Sequence, residues 1–202
     1  MTIKCLAPLL VLQVFSLLSA DEKVVDASLM VLGKDRLWYF DLQRKPFTGK
    51  AESFHEKGKK KFTATYVEGK FDGEVLGWWA DGKPASKQTF AKGKPKGLSR
   101  LWHSSGQLRK EATFADGILD GNASEWFENG QLKEHVTFAG GKRKGAYKAW
   151  FENGKPRVEC EFREDKKNGK DLEYSETGTV IREANYEGGR LQGETIERFP
   201  DG

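Results

Sequence analysis

Cysteine, histidine and long apolar runs are all scarce in this 202-residue chain. Its two cysteines, Cys5 and Cys160, cannot form a disulfide framework if the N-terminal segment is removed, so stability must come from packing. Cys160 stands in a column shared with Ala64, Ala112, Val136 and Ala184, which reads as a buried small residue, a reactive thiol being the alternative. His55 and His103 hold equivalent positions 48 residues apart, roughly 20 Å in an ordered sheet, too far to share a metal ion. His135 falls on the polar side of a strand, and no Ser–His–Asp or Cys–His set stands out. Glu128, Glu152 and Glu176 recur one per repeat, too far apart for acid–base cooperation. Gly140-Gly141-Lys142 has no helix behind it and so is no phosphate loop. These gaps point to a non-enzymatic chain without metal or cofactor. A net charge of +4 over 32% charged residues also argues against a dedicated nucleic-acid surface.

One long apolar run exists, Leu6 to Leu18. Lys4 precedes it and Ser19-Ala20 follows, the pattern of a secretory signal peptide over residues 1–20 with cleavage near Ala20. An uncleaved anchor is the alternative, since Leu18 is large for its place before the cut. Either outcome implies export to a periplasm, a cell surface or the extracellular space. Residues 21–35 then form a lead-in, short helix or extended.

What the chain has in abundance is period. Gly49, Gly73, Gly97, Gly121, Gly145, Gly169 and Gly193 lie 24 residues apart, and Gly58 to Gly202 form a second such series. Phe54, Trp78, Trp102, Trp126, Trp150 and Tyr174 make an aromatic series, and Tyr66, Phe90, Phe114, Phe138, Phe162 and Tyr186 another. A fixed period without insertion defines a repeat protein. Within a unit, Glu128-Asn-Gly130 separates two β-type runs and predicts a hairpin. A second, slightly longer turn is expected at glycine-bracketed stretches such as Gly93–Gly97. From Gly49 onward successive glycines are at most 15 residues apart, which leaves no room for a helical stripe. The expected fold is all-β: an elongated antiparallel meander of stacked 24-residue hairpins. Its array covers 36–202 and opens with half a unit at Arg36–Leu42. Six full units follow over 49–192, and half of a seventh closes it.

Leu132, Val136 and Phe138 alternate with Lys133, His135 and Thr137, giving one packed and one wet face. A two-residue loop would set Trp126 opposite Lys133. A three-residue loop with a glycine bulge sets it opposite Leu132, burying the Trp series, and is preferred.

The entrance Lys45-Pro-Phe-Thr-Gly49 and the segments Trp126-Phe-Glu-Asn-Gly130 and Trp150-Phe-Glu-Asn-Gly-Lys155 resemble the MORN-variant repeat. More narrowly they resemble the YwqK-type antitoxin repeat family. The resemblance spans about 36–202. It implies stacked hairpins that serve as an interaction surface and, for some members, a neutralised toxin as partner.

The candidate partner-binding residues are Trp79, His103, Phe127, Phe151 and Phe199, in a row with His55 and Ser175. Such a row either binds a ligand or packs under a twisted sheet or against segment 22–34. The leading expectation is an exported non-catalytic scaffold for a protein partner. A cell-envelope glycan or lipid module and an antitoxin or immunity protein are the alternatives. Edge-to-edge self-association is open to any array with free edges.

Overall fold

The computed structural model describes residues 23–41 and 43–199. The expected signal peptide, its cleavage site, Leu42 and the Asp201-Gly202 turn lie outside these residues. Three short strands come first: β1 (Val24–Asp26), β2 (Met30–Leu32) and β3 (Trp38–Phe40). Then two strands per unit alternate. The leading strands are β4 (Gly49–Phe54), β6 (Lys70–Trp78), β8 (Lys94–Trp102), β10 (Ile118–Trp126), β12 (Lys142–Trp150) and β14 (Lys166–Tyr174). The returning strands are β5 (Lys60–Val67), β7 (Pro84–Ala91), β9 (Leu108–Ala115), β11 (Leu132–Ala139), β13 (Pro156–Arg163) and β15 (Val180–Glu187). β16 (Arg190–Leu191) and β17 (Ile196–Glu197) close the series. From β4 onward the strands pair antiparallel in chain order, in one 15-stranded sheet that also includes β1. The expected all-β meander is what the chain forms.

The preferred register holds. Trp126 faces Leu132, with a bulge after Glu125. Phe127 N donates to Gln131 O at 2.9 Å and closes a three-residue loop over Glu128, Asn129 and Gly130. Gly130 has φ +87°, a left-handed value that suits glycine.

The other connection is not the longer turn expected. Ala139 faces Lys142, so only Gly140 and Gly141 lie between them, both at positive φ. Such two-residue turns match the right-handed twist of their strands. The bracketing glycine further on, Gly97 or Gly121, is inside a leading strand. At Gly121 (φ +116°) the pairing with β9 jumps from Leu119↔Phe114 to Ala123↔Ala112, three residues opposing one. The bulge bends the leading strand once per unit.

That bend determines the core. Ala51, Ala64, Val75, Gln88, Ser99, Ala112, Ala123, Val136, Tyr147, Cys160, Asp171 and Ala184 sit at corresponding places in successive strands and form a mostly small-residue row across the sheet. Ala51, Ala64, Ala112, Ala123, Val136, Cys160 and Ala184 are buried. Phe114, Leu119, Phe138 and Tyr147 close over the middle of this row. The Trp series, expected to be buried, is only half-buried. Small side chains predominate where the strands bend, Tyr147 being the one ring in the row.

The array does not open with the expected half unit in its ladder. Trp38–Phe40 pairs with Met30–Leu32 as a separate two-stranded sheet, and β1 joins β4 in parallel, Val25 opposite Ala51. Val25, Phe47, Tyr66, Trp38, Phe40 and Phe71 pack into one cluster there, a cap on the first hairpin. At the other end β16 and β17 together repeat the pairing of β10. Arg190↔Glu187 matches Ile118↔Ala115, and Glu197↔Arg182 matches Glu125↔Lys110. They form the leading strand of a seventh unit.

Candidate functional site

The three-residue loops all fall on one long edge of the sheet, because a meander returns its hairpins to the same side. The residues just before them are His55, Trp79, His103, Phe127, Phe151 and Ser175. Each N–H is bonded to the carbonyl four residues on, as Trp79 N to Lys83 O at 2.9 Å. These candidates are therefore turn residues along an edge, about 10 Å apart, two inter-strand spacings.

The tips interlock. His55 Nε2 donates to Trp78 O at 2.7 Å and His103 Nε2 to Trp126 O at 3.1 Å, each reaching into the next unit. Asn129 Nδ2 donates to Glu152 O, and Asn153 Nδ2 to Glu176 O. Where lysine stands two residues further on, its ammonium makes the same step, Lys59 to Asp81 O and Lys83 to Ser105 O. The row is thus stitched into a rigid rail. Trp79 is its most open aromatic at 37% exposure, while Phe127 and Phe151 are half-buried, with Lys133 Nζ 5.9 Å from the Phe127 ring. The N-terminal segment does not cover this rail; it caps the first strand instead.

Phe199 departs from the row. It follows β17 and is 84% exposed, lining a cleft of about 280 Å³ with Glu173, Ile181, Arg182, Glu197 and Arg198.

The sequence reading missed one cluster. Asp171 is wholly buried and occupies the position of Ala51, Val75, Ser99 and Ala123. Its Oδ2 accepts from Lys167 Nζ at 2.6 Å and Arg182 Nη1 at 3.0 Å, while Oδ1 has no partner among the described residues. Arg182 also donates to Glu173 Oε1 and Tyr186 Oη. Burial, and secondarily the Asp171 charge, pushes the neighbouring Cys160 thiol up to about 11, so it stays protonated and unreactive near neutrality. The 24-residue columns carried the signal: a carboxylate where no other unit holds a charged residue, beside a lysine where Phe47, Phe71, Pro95 and Leu119 are apolar.

Among the described residues, no three His, Cys, Asp or Glu side chains converge on a place that could hold a metal ion. No described helix is long and apolar enough to cross a membrane.

This geometry defines a hairpin-repeat protein: one sheet, creased by its leading-strand bulges and stitched along its hairpin-tip edge. Four segments, residues 47–68, 95–116, 119–139 and 143–164, match the family model of the MORN repeat variant. Each match spans one leading strand, its three-residue loop and the returning strand. Two further hairpins, β6–β7 and β14–β15, share their geometry outside those matches. No curated protein matches the chain.

Proposed function

We propose that this chain is an exported, non-catalytic scaffold that captures a protein partner along its hairpin-tip edge. The observation that carries the reading is the rail itself. Tip residues aligned at a constant step, with Trp79 open and Phe127 and Phe151 half-buried, offer a pre-ordered aromatic edge. A rigid surface loses little entropy on binding, and aromatic anchors dominate interface energies. The apolar segment at residues 1–20 supports export. The Trp-Phe-Glu-Asn-Gly tips support a narrower version, in which the partner is a toxin held inactive.

The test is capture from envelope extract by the parent chain and by a Trp79→Ser/Phe151→Ser variant. A Lys170→Ala variant on the wet face serves as a control. One protein held by the parent and the control and lost by the tip variant is expected. Equal capture by all three would remove the tip edge as the contact. A competing glycan or lipid occupant predicts saturable quenching of tryptophan fluorescence by soluble wall sugars or vesicles, and a flat titration would dismiss it.

A further inference from the structure

We propose that copies of this chain associate end to end, the N-terminal cap of one docking on the last strand of the next. This surface is separate from the hairpin-tip edge and needs no foreign partner.

Three observations carry it. First, large apolar side chains stand open at both ends of the array. Val24 and Val31 are 56% and 55% exposed on the cap, and Ile196 is 47% exposed beside the still more open Phe199. Leu76 and Leu172 occupy the column of Ile196 but are half-buried, because each has a strand on both sides. Among the described residues, β17 has a strand neighbour on one side only, and so does β1.

Second, the pairing required is of the parallel kind that the molecule already makes, there on the opposite edge of a leading strand. β1 pairs in parallel with β4, a leading strand. β16 and β17 form another leading strand and run the same way. A second copy's β1 laid beyond β17 therefore continues the sheet as a parallel pair. The break at Gly193 is no obstacle, since β10 carries the same bulge at Gly121 and is paired on both sides.

Third, charge favours unlike ends. Residues 23–96 hold sixteen Lys and Arg against nine Asp and Glu, while residues 145–199 hold ten against twelve. The ends lie on the order of 60 Å apart at two strands of ~4.8 Å per unit. That is many times the Debye length of about 8 Å at physiological salt, so each end presents its own field. Like ends repel, and unlike ends attract. Contacts of this kind are heterologous and propagate beyond a dimer.

The experiment is sedimentation velocity of the full chain over a hundredfold range of concentration, at low and high salt. Val24→Lys blocks the head and Ile196→Lys the tail; Phe199→Lys repeats the tail block at a fully open side chain. The expected result is concentration-dependent growth past dimer for the parent, weakened by salt. Each blocked variant alone should be monomeric with an unchanged thermal melt. An equimolar mixture of head-blocked and tail-blocked chains should stop at dimer, one free tail on one free head. A parent that stays monomeric throughout, variants that associate alone, or a mixture that stays monomeric would each overturn the proposal.

Discussion

Arg182 reaches across from β15 to bond Asp171, a carboxylate with no solvent exposure at the crease of β14. The two partners are unequal, because Arg182 keeps about a quarter of its side-chain surface in water and Asp171 none. Removing the arginine leaves the buried carboxylate to Lys167 alone; removing the aspartate frees two cations that can rehydrate. Arg182→Ala should therefore cost about 1.5–3 kcal/mol, one hydrogen bond to a charged group, and Asp171→Ala, which restores the alanine of the Ala51 and Ala123 units, less. Urea melts of the two variants check this, and equal losses would contradict it.

Cys160 makes stability depend on alkaline pH. Its folded thiol titrates at about 11, above the usual cysteine range, because burial disfavours the thiolate. The unfolded chain loses that proton first, so between roughly pH 9 and 11 it binds fewer protons than the native state and stability falls as pH rises. Tyr66, pushed up to about 12 by burial, extends the decline. Cys160→Ala should remove the lower part of the fall in a pH series of melts and leave the Tyr66 part.

Gly121 and Gly145 share a column but differ in surroundings. Gly121 has φ +116°, and an added Cβ would meet Thr113 Cβ at 3.0 Å; Gly145 has φ +76° with nothing within 4 Å. Gly121→Ala should cost about 1–3 kcal/mol, toward the upper end, as a strained backbone with a crowded neighbour. Gly145→Ala should cost about 1–2 kcal/mol, the left-handed penalty alone. Thermal melts that rank the two in the opposite order would mean the bulge is not what bends the strand.

Size tolerance should fall at the crease rather than at the tryptophans. Ala51 is wholly buried, and Ala51→Leu should overpack the row by about 1–3 kcal/mol. Trp126 is half-buried, and Trp126→Ala should cost less than the ~3–5 kcal/mol of a fully buried tryptophan. Chemical denaturation of the pair measures both.

Trp126 and Gly121 show how unevenly the fold could be read in advance. The pairing of Trp126 with Leu132 was legible, because burying the apolar alternation left one acceptable loop length. The role of Gly121 was not. A glycine at a fixed step signals positive φ equally well at a turn or at a bulge, and only pairing with β9 distinguishes them. The candidate rail was legible as a row, but its interlocking was not, because bonds such as His55 to Trp78 O and Asn129 to Glu152 O join neighbouring units. Asp171 was visible as a deviant in its column, yet its burial depends on β13 and β15 closing around it.

Period, composition and turn chemistry by themselves determined the all-β class, the 24-residue hairpin and the chain-order meander, because each unit repeats the same local free-energy choices. Tertiary structure alone decided what fills the crease, which edge β1 covers and which side chains stay open. Those outcomes rest on non-local packing: Val25 with Ala51, Trp38 with Tyr66, Arg182 with Asp171. No local preference encodes them, since they join strands whose neighbours set the available space.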